Sequence, residues 1–295
     1  MEHIRIEFSR FSAFYSPLIL TMAGGFLDRE GLKHSFSVST PERTAMSAIL
    51  GGAVDVAQSA VSAAFGAAID GRKPDVVHFA QINETDGFFL FGRDKEPNFS
   101  WSHLVGKDVL VDHGGQPMAM FRYGCLKSGL DDSKINFIDA GSPEEMEVAF
   151  RSGVGDYIHA QGPLPQQFEE DGLGQIVASV GKAIGPVAFS TLAAKEEWLK
   201  TDVAMAFMRA YRMARELAIT GSPEEIARLE AEFFPEIHIE ALANTVRFYQ
   251  QLGCWSPHLE ITQQAFEVAV DVFLHSKAIS ERPAYDLAVY PVPTI

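Results

Sequence analysis

Polar and aromatic residues collect near the ends of several predicted strands, where they could recognise a small molecule. Ser59 lies just after the apolar run 54–57, and a group of polar and small residues follows the run 109–111. Because the carboxyl ends of parallel strands meet at one edge of a sheet, we expect these side chains to face a common crevice. The candidate binding residues are Phe11, Ser12, Phe14, Tyr15, Ser59, Thr85 and Asp86 in the first half of the chain, and His113, Gly114, Gly115, Gln116, His159 and Gln161 in the second.

The ring side chains among these candidates each have two interpretations. Phe11, Phe14 and Tyr15 could stack on a flat ligand, or they could pack the interface between a loop and a helix. His113 and His159 suit polar or pH-sensitive recognition of a ligand. The alternative for each histidine is a surface position, or a buried one with its hydrogen bonds satisfied.

The small and polar candidates are open in the same way. Gly114 and Gly115 precede a predicted helix, where their backbone N–H groups could bind an anion or simply form a turn. Ser59 could cap the helix that follows it or touch a ligand. Asp86 could accept a hydrogen bond from a ligand or cap its own turn.

Arginine is scarce near the predicted strand ends, and this bears on the charge of the ligand. Only Arg10 and Arg43 lie close to such ends in the first half of the chain. Binding sites for sulfonate or nitrate commonly use a bidentate guanidinium group. The sequence therefore favours an aromatic or otherwise weakly charged organic ligand over a small inorganic anion.

Composition excludes several classes of partner. The 295-residue chain carries 39 acidic and 24 basic residues, a net charge of −15, which argues against binding to nucleic acid or to an anionic membrane surface. Cys125 and Cys254 lie far apart and form no Cys/His cluster, so we expect free buried thiols, no metal site and no cofactor. No apolar run approaches the roughly 20 residues of a membrane span, so no direct membrane insertion is predicted.

The N-terminus predicts a strand at once. Residues 4–8 alternate between apolar and polar side chains, and no charged segment followed by an apolar stretch precedes them. This pattern does not indicate a signal peptide. We therefore expect a cytoplasmic protein, or a periplasmic one if a leader has been removed.

The two halves of the chain repeat one local pattern. A predicted helix ends at Gly51 and Gly52, and a buried strand follows Asp55. The second half repeats this order around Gly153 and Asp156. Because both aspartates precede their strands, we expect them to serve the turns rather than a ligand. Two similar α/β lobes with a cleft between them would produce such an echo.

Two irregular segments are the predicted crossovers between these lobes. Residues 94–102 are polar, and residues 181–190 contain glycine and proline. The predicted lobe one is therefore discontinuous, with residues 1–93 and 190–295, and lobe two comprises residues 94–189.

Several motifs in a fixed order give the chain a family resemblance. They are SPL at 16–18, GFLDREGL at 25–32, LGGAVDV at 50–56, LVGKDV at 104–109 and AFRSGVGD at 149–156. Together they resemble the substrate-binding proteins of nitrate, sulfonate and taurine ABC importers, a superfamily that includes the thiamine-pyrimidine synthases. The resemblance covers roughly residues 4–200.

The resemblance implies an α/β protein with the two-lobed, type II periplasmic-binding-protein fold. Each lobe would be a mixed sheet flanked by helices, with a ligand cleft between the lobes. Hinge closure on a small organic molecule, such as a sulfonate, an aromatic acid or a pyrimidine-like compound, is the implied function. The implied partners are that ligand and an ABC permease.

Enzymes of the same fold are the alternative, acting in the cytoplasm on a small organic substrate. The pyrimidine synthases have a cysteine-rich pattern with an active histidine, and a desulfinase of this type needs a nucleophilic cysteine after strand one. The loop at 10–14 has no cysteine, and Ser12 as a nucleophile would need His113 or His159 as its base. A cytoplasmic ligand sensor is the third possibility. We therefore assign no catalytic residue.

Overall fold

The structure, a computed structural model, describes residues 2–294 and contains two β-sheets of five strands each. In chain order the strands are β1 (Glu2–Phe8), β2 (Leu32–Val38), β3 (Val56–Ser59), β4 (Val76–Asn83), β5 (Phe88–Gly92), β6 (Asp108–Val111), β7 (Asn136–Ile138), β8 (Tyr157–Gln161), β9 (Gln175–Ser179) and β10 (Ser190–Lys195). The first sheet has the order β2-β1-β3-β10-β4, and the second has the order β7-β6-β8-β5-β9. Each sheet forms the centre of one lobe, so the predicted two-lobed α/β architecture is confirmed.

Both sheets are mixed, and they are mixed in the same way. In the first sheet, β1 pairs in parallel with β2 and β3, and β10 pairs antiparallel with β3 and β4. In the second, β6 pairs in parallel with β7 and β8, and β5 pairs antiparallel with β8 and β9. Each lobe therefore receives its central antiparallel strand directly after the chain crosses from the other lobe. The two crossovers between the sheets lie at 84–87 and 185–189.

The first crossover comes earlier in the chain than the sequence predicts. We expected it at 94–102, which would leave the strand at 88–92 in lobe one. Instead β5 belongs to the second sheet, where Leu90 lies opposite His159 on β8. All five residues of β5 are buried, so its apolar composition suits the centre of either sheet and only the strand pairing distinguishes them.

Helices cover both sheets. They are α1 (Ser16–Ala23), α2 (Phe26–Arg29), α3 (Ala45–Leu50), α4 (Phe65–Ile69), α5 (Gln116–Lys127), α6 (Pro143–Arg151), α7 (Leu164–Glu170), α8 (Val180–Ile184), α9 (Asp202–Thr220), α10 (Pro223–Glu230), α11 (Ile239–Leu252), α12 (Gln263–His275) and α13 (Tyr285–Ala288). Within residues 2–294, none of these helices has both the length and the apolar composition that crossing a membrane requires.

Local capping signals explain where several helices begin. The Ser142 hydroxyl accepts a hydrogen bond from the Glu145 amide at 3.2 Å, and the Glu145 carboxylate accepts one from the Ser142 amide at 2.7 Å. This reciprocal pair satisfies two N–H groups that the helix itself cannot use. Ser222 caps α10 through the amide of Glu225 in the same position. Both helices start where their Ser-Pro signals predict.

The repeated glycine turns have the predicted structure. The carboxylate of Asp55 accepts a hydrogen bond from the Arg5 amide at 2.8 Å and pairs with the Arg5 guanidinium at 2.6 Å. In the second lobe, Asp156 accepts from the Asp108 amide at 3.0 Å, and the Lys107 ammonium lies 3.7 Å away. Each aspartate therefore ties a turn to the neighbouring strand: Asp55 to the middle of β1 and Asp156 to the first residue of β6.

Candidate functional site

Two cavities that share some of their lining residues lie between the lobes, at the carboxyl ends of β1, β3, β6 and β8. The larger has a volume of about 620 Å³ and the smaller about 290 Å³. The larger is lined by Ser9, Arg10, Phe11, Ser12, Val38, Ser39, Pro41, Phe88, Asp112, Ser142, Pro143, Glu144, Met146, Glu147, Ile158, His159, Ala160, Gln161, Gly162, Pro163 and Leu164. The smaller is lined by Ser9, Arg10, Tyr15, Gln58, Ser59, Ala60, Ser62, Ala63, Phe88, Gly114, Gln116, Pro117, Gln161, Phe189 and Ser190.

His159 and Gln161 form the most distinctive part of the cleft wall. They stand two residues apart on β8, so the pleat of the strand directs both side chains to the same face. Both side chains are buried, and within the described residues neither the ring nitrogens of His159 nor the amide atoms of Gln161 have a hydrogen-bond partner. Burying polar atoms without partners is unfavourable, so this pair is suited to bonding a ligand.

Aromatic packing holds the imidazole of His159 in place. The ring stacks on Phe88, with 4.5 Å between centroids and 20° between planes, and Phe121 lies 4.8 Å away. Burial lowers the pKa of His159 to about 3, although the nearby Asp112 carboxylate opposes the shift. The imidazole is therefore neutral near pH 7 and offers one donor and one acceptor. This low pKa favours polar recognition over a pH-sensitive role for His159.

Tyr15 lies in the wall of the smaller cavity, beside Gln58 and Ser59. Burial raises its pKa to about 12, opposed by the nearby charge of Arg10 and by the side chain of Gln161, which lies close to the phenol but outside hydrogen-bond geometry. The phenol therefore stays protonated and can donate a hydrogen bond. Ser59 does not cap the next helix, because Ala60 occupies the capping position of the short 3-10 turn at 61–64.

The first lobe presents a loop whose polar groups are already bonded. The side-chain oxygen of Gln58 accepts hydrogen bonds from the Ser9 amide at 2.9 Å, the Ser9 hydroxyl at 2.8 Å and the Arg10 amide at 3.3 Å. The Ser12 hydroxyl accepts from the Phe14 amide at 3.1 Å and donates to the carbonyl of Gly162, in the other lobe, at 2.6 Å. These bonds fix the loop after β1 against both lobes.

The predicted aromatic candidates after β1 separate into two groups. Phe11 lines the larger cavity and packs at 5.3 Å from both Phe36 and Phe234. Phe14 is fully buried against Tyr249, 4.9 Å away, and lines neither cavity. The ligand-stacking interpretation is therefore wrong for Phe14, because the 3-10 turn that follows Ser12 directs its ring into the core.

Thr85 and Asp86 also lie outside both cavities, in the first crossover. Both side chains are buried, and the carboxylate of Asp86 accepts a hydrogen bond from the Phe88 amide at 2.6 Å. Burial raises the pKa of Asp86 to about 7. Asp86 therefore caps its own turn, and the structure does not support either residue as a ligand contact.

The residues before α5 face two different cavities. Gly114 and Gln116 line the smaller cleft cavity, whereas His113 and Gly115 line a separate cavity between α5 and α12. Gln116 bridges the lobes, because its amide donates to the Phe189 carbonyl at 2.9 Å. His113 is exposed and bonds through Nδ1 to the Val111 carbonyl at 2.7 Å, so its predicted place in the cleft is wrong.

An ion pair between the lobes was not among the sequence predictions. The guanidinium of Arg10, after β1, contacts the carboxylate of Asp112, after β6, and both residues line the larger cavity. The other oxygen of Asp112 accepts a hydrogen bond from the Gly114 amide at 2.8 Å. Both residues lie within two positions of the end of a predicted strand, which is the signal that could have placed them in the site.

The cysteine thiols and the Ser12 hydroxyl are the nucleophiles that an enzyme of this fold could use, and their surroundings do not favour the deprotonated form. Cys125 and Cys254 are buried free thiols, and burial raises the pKa of Cys125 to about 12 and that of Cys254 further. Ser12 donates to a backbone carbonyl rather than to a base. Among residues 2–294, no cluster of three or more His, Cys, Asp or Glu side chains could hold a metal ion.

Comparison with known proteins places this architecture in a family. The sequence profile of the family described as NMT1/THI5 like matches residues 14–226. YtlA of Bacillus subtilis (strain 168), whose name assigns it a binding role provisionally and states no ligand, is 28% identical over 282 residues, or 94% of this chain and 84% of YtlA.

Solved structures agree on the fold. The alkanesulfonate-binding protein SsuA of Xanthomonas axonopodis pv. citri, bound to MOPS, superposes with a TM-score of 0.74 at 16% identity and covers 99% of both chains. The periplasmic aliphatic sulphonate binding protein SsuA of Escherichia coli gives 0.74 at 15% identity, over 100% of this chain and 93% of that one. The chain therefore belongs to the NMT1/THI5-like family and has the two-lobed fold of periplasmic binding proteins.

Proposed function

We propose that the protein is a solute-binding protein that closes on a small, planar, weakly charged organic molecule. The observation that carries the proposal is the set of four unpartnered polar atoms on His159 and Gln161, buried in the wall of the cleft. A neutral imidazole and a carboxamide side by side provide donors and acceptors without net charge. A heterocycle with alternating donors and acceptors, such as a pyrimidine, complements them.

The charges around the cavities support a weakly charged ligand. Arg10 is the one lysine or arginine among the described residues that line either cavity, and Asp112 already neutralises it. Glu144 and Glu147 lie at the rim of the larger cavity, and Glu147 is paired with Arg151 at 2.8 Å. A sulfonate, as in the names of the two SsuA proteins, would meet more negative than positive charge here.

Flat apolar and aromatic surfaces support a planar ligand. Phe88 belongs to both cavities, Phe11 lines the larger one and Phe189 the smaller one. The combined space is larger than one heterocycle requires, so the ligand can carry a substituent. Binding sites of this size and mixed polarity are typical of small organic ligands.

Contacts between the lobes support closure around the ligand. Besides the bond from Ser12 to Gly162, the Ser62 hydroxyl donates to the side-chain oxygen of Gln116 at 3.0 Å. These contacts lie around the cavities and would break if the lobes opened about the two crossovers. A binding protein uses such bonds to favour the closed, ligand-bound state.

An ABC permease is the proposed partner, and delivery to it requires the protein to act outside the cytoplasmic membrane. The structural relatives named as periplasmic sulfonate-binding proteins support this assignment. Fractionation of cells that express the native gene tests the location. Recovery of the protein solely from the cytoplasm would contradict the import role.

The ligand class is tested by thermal shift with matched compounds, followed by recovery of the bound compound. We expect stabilisation by substituted pyrimidines that exceeds that by aromatic acids or alkanesulfonates of equal size. Mass spectrometry after denaturation should recover the compound unchanged. Preferential stabilisation by sulfonates would contradict the ligand class, and a chemically altered compound would contradict the non-catalytic role.

A further inference from the structure

We propose that Asp112 is a built-in counter-ion that excludes anionic ligands from the cleft. The inference rests on the proposed function and deepens it, because it names the residue that sets the charge of the acceptable ligand. Asp112 lies in the loop between β6 and α5. From the sequence, the two glycines of this loop, Gly114 and Gly115, could bind an anion or form a turn.

Two groups in the cleft could hold an anionic ligand. One is the guanidinium of Arg10, the only lysine or arginine side chain among the described residues lining either cavity. The other is the backbone amide of Gly114, which lines the smaller cavity close to the start of α5. A guanidinium and a free amide near a helix N-terminus are common components of sulfonate and carboxylate sites.

The carboxylate of Asp112 uses both of these groups. Its Oδ2 contacts the guanidinium of Arg10, and its Oδ1 accepts the hydrogen bond from the Gly114 amide at 2.8 Å. The side chain of Asp112 is only 9% exposed, so water screens the pair weakly. The protein therefore places its own carboxylate where the negative group of a ligand would otherwise bind.

The next backbone amide along the loop is also occupied. The Gly115 amide donates to the His113 carbonyl at 2.9 Å. An incoming sulfonate or carboxylate would have to separate Asp112 from its partners, which leaves a buried carboxylate unpaired, or lie beside it as a like charge. A neutral ligand avoids both penalties and can still bond to His159 and Gln161.

The substitution Asp112→Asn tests this directly. Asparagine can keep the hydrogen bond from the Gly114 amide, so the turn is expected to survive while Arg10 loses its counter-ion. The probes are benzenesulfonate and its neutral counterpart benzenesulfonamide, measured by titration calorimetry on the full-length chain. We expect the ratio of benzenesulfonate to benzenesulfonamide affinity to rise at least about tenfold over the wild-type protein.

Two further variants separate a local counter-ion from a general change in charge. Asp156→Asn removes an aspartate that also accepts a backbone amide and faces a cation, but at the far end of the sheet, and should leave the affinity ratio unchanged. Arg10→Gln combined with Asp112→Asn should lose the gain, because the freed guanidinium is its source. If Asp112→Asn does not fold, Asp112→Ser serves the same purpose.

The outcomes are distinguishable from those of the proposed function. A folded Asp112 variant with an unchanged affinity ratio, or with no measurable benzenesulfonate binding, overturns the counter-ion role. A gain of equal size in Asp156→Asn overturns it too. The proposed function instead fails if no compound class stabilises the wild-type protein. That result is independent of the ratio of benzenesulfonate to benzenesulfonamide affinity measured in the variants.

Discussion

The two walls of the cleft differ in how far their polar groups are satisfied. The wall from lobe one holds Ser12 and Gln58, each with at least two hydrogen bonds to the protein. The wall from lobe two holds His159 and Gln161, whose polar side-chain atoms have none within the described residues. The two glutamines illustrate the contrast, because the side chain of Gln58 is bonded to the protein and that of Gln161 is not.

This difference indicates a division of function between the lobes. The bonded groups of lobe one shape and hold the loop after β1, which contributes to both cavities. Under the proposed function, the unbonded groups of lobe two are the part of the site that a ligand would complete. Substitutions in each wall and a pH titration can break or sharpen this comparison.

Removal of the lobe-two groups should have the largest effect on binding. We expect His159→Ala and Gln161→Ala each to weaken ligand affinity roughly 10- to 100-fold, because each removes hydrogen bonds that the ligand alone provides. Titration calorimetry with the compound selected by the thermal-shift screen measures this. Affinity within twofold of wild type in both variants would remove the basis for assigning recognition to lobe two.

His78 provides a matched control for His159. It is also fully buried, and burial lowers its pKa to about 4, but its Nδ1 lies 2.8 Å from the Thr191 hydroxyl and it lines neither cavity. His78→Ala should reduce the free energy of unfolding by about 2 kcal/mol and leave ligand affinity unchanged. Equal loss of affinity in His78→Ala would show that general destabilisation explains both results.

Removal of a lobe-one group should affect stability more than ligand contacts. Gln58→Ala leaves the Ser9 and Arg10 amides without their acceptor, so we expect the free energy of unfolding to fall by about 1–3 kcal/mol. Urea unfolding of the unliganded protein measures the change. A stability equal to that of wild type would mean that the loop after β1 does not depend on this acceptor.

The hydroxyl that links the two walls should have a smaller effect. Ser12→Ala removes one hydrogen bond to the Gly162 carbonyl across the cleft, which is worth about 0.5–1.5 kcal/mol. Because this bond forms in the closed state, ligand affinity should fall by about three- to tenfold. Ser12→Thr, which keeps the hydroxyl, is the control. Wild-type affinity in Ser12→Ala would argue against a role in closure.

The pH dependence of binding should be the smallest effect. The pKa of His159 is about 3 in the folded protein, below its ordinary 6.5, so the ring stays neutral through the physiological range. Its contribution to stability is complete above pH 6.5 and is lost as the pH falls from 6.5 towards 3. Affinity should change less than about threefold between roughly pH 5 and pH 8.

Asp86 provides the control for this titration, because it is a second buried group whose pKa is shifted. Its pKa is raised to about 7, so its contribution to stability is present below the ordinary pKa of 3.8 and is lost as the pH rises towards 7. Asp86→Asn should remove any residual pH dependence of affinity near neutrality. A steep loss of binding below pH 6.5 that Asp86→Asn leaves intact would contradict a neutral His159.

Local signals in the sequence predict most elements of the fold. The Ser142 and Ser222 caps, each followed by a proline, place two helix starts. These features depend on neighbouring residues only. The sheet that receives β5 depends on pairing with β8, which lies some 70 residues away in the chain, so no local pattern distinguishes the two lobes.

The same distinction explains the results for the site. His159 and Gln161 are predictable because alternation along one strand puts them on one face. His113 is not, because the residues after β6 alternate between two cavities: Gly114 and Gln116 line the cleft, whereas His113 lines the cavity between α5 and α12. The contact between Arg10 and Asp112 joins residues 102 positions apart and exists only once the lobes meet.

The central claim is that His159 and Gln161 hold the ligand. It is tested most directly by native mass spectrometry, which compares gently purified wild-type protein with the His159→Ala/Gln161→Ala double variant. We expect the wild-type protein to retain a small molecule that is released unchanged on denaturation, and the folded double variant to be empty. Retention of the same molecule by both proteins would show that it is not held by His159 and Gln161, and would contradict the account.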